Sequence, residues 1–107
     1  MREIEEKISV YAQTEDYKIT VQEADGWILL HLDVYNWSPS ILKRGRKLFE
    51  TMLKEYAELG HELVFSSTLS PQTVKFCKML HPVYEVKKDM YYDQPYWVVA
   101  WETGLDL

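Results

Sequence analysis

The chain is poor in cysteine, glycine and proline, with one, four and four in 107 residues. A lone thiol, Cys77, closes no internal disulfide and supplies no multi-thiolate metal site. The histidines at 31, 61 and 81 are too scattered to form a ligand pair, so no metal is expected. No apolar run approaches the roughly 20 residues that a membrane-spanning helix needs. The opening Met1-Arg2-Glu3-Ile4-Glu5-Glu6-Lys7 has no apolar stretch of the kind a secretory signal carries, so a cytoplasmic location is expected. Linkers, low-complexity segments and repeats are missing too, which at this length indicates a single domain over 1–107. An excess of positive charge is also absent. With 12 Lys and Arg against 17 Asp and Glu, the net charge is −5, which argues against a nucleic-acid partner.

What is present is aromatic side chains, 14 % of the chain, and one local concentration of charge. Ile4, Ile8 and Tyr11 fall at helical spacing and predict a short helix over 2–12, although Val10 and Tyr11 also fit the start of a strand. Tyr17, Ile19 and Val21 alternate with polar residues as a half-covered strand does, and Ala24-Asp25-Gly26 supplies a tight turn. Trp27–Tyr35 follows as a more continuously apolar strand, expected to be buried on both faces. A long helix is predicted over about 41–59, with an apolar stripe through Leu48, Phe49, Met52, Leu53 and Tyr56 and Gly60 at its end. A strand over 62–68, a helix over 71–80 opened by Ser70-Pro71, and strands over 83–87 and 96–102 complete the chain. The order α-β-β-α-β-α-β-β predicts an α/β fold, with helices packed on a mixed central sheet.

Lys43, Arg44, Arg46 and Lys47 place four of the 12 cations near the start of the long helix. The macrodipole there is positive and favours acidic side chains, so clustered cations cost a few tenths of a kcal/mol each unless an anion is held. Either a phosphate site or a solvated basic face balanced by Glu50, Glu55 and Glu58 accounts for them.

Over about residues 17–102, the hairpin, basic segment, long helix, strand, short helix and final strands resemble the GNAT superfamily of acyl-CoA-dependent N-acetyltransferases. Arg44-Gly45-Arg46-Lys47-Leu48-Phe49 falls on that family's Arg/Gln-x-x-Gly-x-Gly/Ala loop, and Thr73–Leu80 looks like its late helix with a Phe-Tyr pair. The resemblance implies acetyl-CoA as cofactor, with its pyrophosphate around Arg44, Gly45, Arg46 and Lys47. It also implies a small-molecule or protein amine as acceptor. Two departures stand out: Lys47 and Phe49 occupy the positions of small residues, and Cys77 occupies that of the tyrosine acid.

The candidate proton donors to the leaving thiolate are Cys77 and Tyr84, and the candidate bases are His31 and Asp33. Each has a plain alternative, an inert core thiol for Cys77 and a mutually satisfied pair for His31 and Asp33. Trp97, Val99 and Trp101 share one face of the last strand and Tyr96, Val98 and Ala100 the other, so that strand is either central or covered by a homodimer or protein partner. Three readings follow: an N-acetyltransferase; a catalytically silent GNAT-like module of the kind a phage or mobile element would encode; or an unrelated α/β protein that binds another anion.

Overall fold

A computed structural model describes residues 6–104. The element order is β1 (Glu6–Gln13), β2 (Tyr17–Ala24), β3 (Trp27–Val34), α1 (Pro39–Glu58), β4 (Leu63–Thr68), α2 (Pro71–Leu80), β5 (Glu85–Tyr91) and β6 (Gln94–Glu102). The six strands form one sheet in the order β1-β2-β3-β4-β6-β5, parallel between β3 and β4 and antiparallel elsewhere. This is the mixed sheet with packed helices that the sequence predicts.

The first element differs from expectation. Where a helix was predicted over 2–12, residues 6–13 form a strand on the edge of β2, while 2–5 lie outside the described residues. Ile8 and Val10 are β-branched and alternate with Lys7 and Ser9, a pattern that suits a pleated edge, and β2 offers a free ladder to pair with. Tyr11, next to Val10, faces the opposite side by the ordinary alternation of a strand, where it packs on the core and donates to Glu55 Oε2 at 3.2 Å, and a bulge falls between Val10 and Ala12. Ile8, which is exposed, and Tyr11, which packs on the core, therefore lie on opposite faces of a strand rather than on one face of a helix.

The β2–β3 hairpin turns through Asp25 (φ 51°) and Gly26 (φ 79°), the left-handed pair that a two-residue hairpin requires. β3 buries one face, not two: Ile28 and Leu30 point into the core, whereas Trp27, His31 and Asp33 are exposed. The last hairpin also departs from the predicted bounds. Its strands run to Tyr91 and from Gln94, so Tyr92-Asp93 forms the turn, both with positive φ, and Pro95 lies within β6.

Helix α1 starts at Ser38, whose hydroxyl accepts from the Ile41 amide, and Pro39 follows in the first turn. Its far end closes with Gly60 (φ 93°), where Gly60 N–H reaches Ala57 O and His61 N–H reaches Tyr56 O. Phe49, Met52, Leu53 and Tyr56 from α1 and Val74, Cys77 and Leu80 from α2 bury against Ile19, Val21, Ile28, Leu30, Val64, Val99 and Trp101. Phe49 sits edge-on to Trp101 at 4.9 Å between ring centres, and Trp101 donates its indole N–H to His81 O. β6 lies between β4 and β5; Trp97, Val99 and Trp101 pack with the core on the helix side, while Tyr96 and Val98 on its other face stay partly exposed. No described helix is long and apolar enough to cross a membrane.

Candidate functional site

The sheet has one weak seam. Eight residue pairs join β2 to β3 and six join β4 to β6, but β3 and β4 share two, Leu29 with Phe65 and Leu30 with Ser66. At the last of these the buried Ser66 hydroxyl donates to Leu30 O at 2.9 Å, which satisfies a carbonyl near the point where pairing stops. From there β3 leads to α1 and β4 leads to α2. Between these diverging paths lies a cleft of about 640 Å³. Leu32, Val34 and Trp37 form one wall, and Ser70, Thr73 and Phe76 are among the residues of the other. Trp37 and Phe76 meet edge to face at 5.5 Å, spanning from the α1 approach to α2. Lys75 and Met79 line the same cleft from α2.

The four cations flank this region but do not sit at the helix start. Because α1 begins at Pro39, Lys43 is its fifth residue and Lys47 its ninth. The pair stands at i, i+4, a like-charge spacing that opposes helix stability by a few tenths of a kcal/mol. Arg46 donates from Nε to Met79 O at 2.8 Å, tying α1 to the carboxyl end of α2, where a cation also complements the macrodipole. Gly45 lies inside the helix facing α2: a Cβ there would stand 3.5 Å from Leu80 Cδ1, ordinary packing contact. It also borders a cavity of about 30 Å³ beneath the cleft, along with Asp33, Leu42 and Phe76. Phe49 turns wholly into the core and leaves the helix start clear.

The candidate acid and base residues are not brought together. Cys77 is buried on the sheet side of α2, and burial pushes its thiol up to about 11. A thiol so placed is a core residue with no route to a ligand. Tyr84 is exposed and lines a separate groove of about 570 Å³ with Glu50, Lys54 and His81, and its amide bonds Ala100 O away from the parting of the strands. His31 and Asp33 share the face of β3 that no helix covers. The hydrogen bond of His31 is to Gln22 Oε1 at 2.9 Å rather than to Asp33. Nearby on that face, Tyr96 donates to Asp89 Oδ2, and the adjacent carboxylate holds the phenol above its ordinary range. Among the described residues, no three His, Cys, Asp or Glu side chains converge to hold a metal ion.

No family model matches the chain, and no curated protein matches it. Among solved structures, a protein of Agrobacterium tumefaciens provisionally described as an acetyltransferase superposes with a TM-score of 0.56. The match covers 94 % of this chain and 77 % of that one, at 12 % identity. The fold is GNAT-like. At that identity the likeness concerns the fold, and the chemistry has to be argued from the residues of this chain.

The cofactor that a GNAT-like fold implies is acetyl-CoA, and its diphosphate calls for several convergent helix amides. Here Pro39 has no N–H, the Ile41 N–H is taken by Ser38 Oγ, and the Leu42 N–H by Ser38 O. Ser40 is left as the one amide of the first four helical residues without a partner among the described residues. The amides of 44–47 lie within the helix and already serve its ladder. The residues present do not fit a diphosphate cradle.

Cleft residues such as Trp37 and Gln72 carried no signal of a site in the sequence, and Ser70 signalled only the start of a helix. The usable clue was Ser38-Pro39, the same cap-and-proline start as Ser70-Pro71, which moves α1 two residues earlier and carries the cations away from its amino end.

Proposed function

We propose that this chain uses its GNAT-like fold as a binding module and does not take acetyl-CoA as a cofactor. The start of α1 supports this reading: a proline and a satisfied serine cap stand where a diphosphate would need free N–H groups. The apolar cleft remains and is of a size for a ligand or a partner's side chain. Isothermal calorimetry with coenzyme A is expected to give no saturable heat up to about 1 mM, and a Kd of about 10 µM or tighter would overturn the reading.

The parted β3 and β4 favour a second reading, an amine N-acetyltransferase with a reduced cofactor site. It requires a proton donor other than the buried Cys77. It predicts release of free coenzyme A from acetyl-CoA in the presence of an amine, measured as new thiol over time.

A further inference from the structure

We propose that the cleft beside α2, together with the basic helix surface next to it, docks an acidic peptide segment of a partner protein through an apolar anchor side chain. This rests on the binding-module reading.

Charge supplies the first argument. Residues 34–49 and 63–84 contain no Asp or Glu. The fold sets these stretches side by side, since Arg46 bonds Met79 and Gly45 faces Leu80. The outer surface so formed carries Lys43, Arg44, Arg46, Lys47, Lys75 and Lys78, half of the chain's 12 cations. The other six share the rest of the chain with all 17 acids. Among the described residues the ion pair is Lys87 with Glu85, so none of these six cations is neutralised by a salt bridge. An acidic protein has thus gathered six cations, none in a salt bridge among the described residues, on the first half of α1 and on α2, with Glu50 at the border of the patch.

Apolar exposure supplies the second. Val34, Trp37 and Met79 line the cleft and stay 39 %, 51 % and 43 % exposed, and Leu69, next to the lining Ser70, is 64 % exposed. Apolar side chains left in water around a concave site mark a contact surface. The cleft wall of Leu32, Val34 and Phe76 suits a leucine or phenylalanine side chain, and the cations beside it suit flanking carboxylates. A nucleic acid fits less well, because an extended phosphate chain would run off the patch onto surface that holds the acids.

The test is fluorescence anisotropy of the full chain with a labelled peptide of about 12 residues built from Asp, Glu and Leu with one Phe. Micromolar binding is expected, weakening at least tenfold, roughly, as salt rises from about 0.05 to about 0.3 M. Lys75→Glu with Lys78→Glu, both at exposed positions, should weaken it by about tenfold or more with an unchanged circular-dichroism melt. Trp37→Ala, or Ser in place of the peptide's Leu and Phe, should each cost about tenfold. No binding at about 1 mM, indifference to the lysine reversals, or tighter binding of a single-stranded DNA 12-mer would each overturn the proposal. Coenzyme A runs as a separate arm. Its tight binding defeats the module reading whatever the peptide does, whereas peptide failure with coenzyme A silent defeats the docking proposal alone.

Discussion

From Phe49 onward α1 buries Phe49, Met52, Leu53 and Tyr56 and ends in a closed glycine cap, whereas its first ten residues bury none fully and carry four cations. The second half is specified by the core. Its rings and methyl groups have no alternative site, and its last carbonyls are satisfied by Gly60 and His61. The first half stands over the parting of β3 and β4, where apolar side chains stay exposed and like charges sit one turn apart. One half holds the domain together; the other adds Leu42 and Leu48 at the edge of the core and the Arg46–Met79 bond, and leaves its like charges exposed.

Breaking the packed half has the largest effect. Phe49→Ala should destabilise by about 3–5 kcal/mol in urea unfolding, since it removes a fully buried ring from Trp101 and leaves a cavity. A loss below about 1 kcal/mol would erase the contrast between the halves.

The core beneath α2 can be probed by pH. The Cys77 thiol has its ordinary value of 9.0 when unfolded and is pushed up to about 11 by burial when folded, so between those values the unfolded state has lost a proton that the folded state keeps. Stability therefore falls as pH rises through this window, by about 1.4 kcal/mol per unit at most. Comparing urea midpoints of the wild type and Cys77→Ala from about pH 9 to about pH 11 should show the variant falling less steeply; parallel curves would mean the thiol is open to solvent.

At the junction of the contrast, Ser38→Ala should cost about 1 kcal/mol by freeing the Ile41 amide. A null effect in thermal melts would show that the cap is not formed. The smallest expected change is a gain. Lys43→Glu relieves repulsion with Lys47 and creates a favourable i, i+4 pair, and should stabilise by a few tenths of a kcal/mol. A loss instead would mean that Lys43 already has a structural partner.

Much of the fold was legible because the patterns were long. The α1 stripe, the Asp-Gly hairpin and the strand-helix-strand order each rest on several residues that agree. The first strand was not, since Ile8 and Tyr11 stand three apart as neighbours on a helix face do, whereas the strand sends them to opposite faces. The candidate site was less legible still. Arg44-Gly45 imitates a cofactor loop in one dimension, but Ser38-Pro39 starts the helix earlier and places that segment inside it, where Gly45 packs towards Leu80. Cys77 and Tyr84 looked interchangeable as acids, and burial separates them: one is sealed under α2 and the other faces a groove elsewhere.

The most direct measurement is an amide-resolved NMR titration of the chain with coenzyme A, read at Ser40, Ile41 and Leu42. With one N–H of the first four helical residues lacking a partner among the described residues, these signals should stay in place up to about 1 mM ligand. Saturable shifts centred on them would show that a diphosphate binds the helix start and would contradict the account.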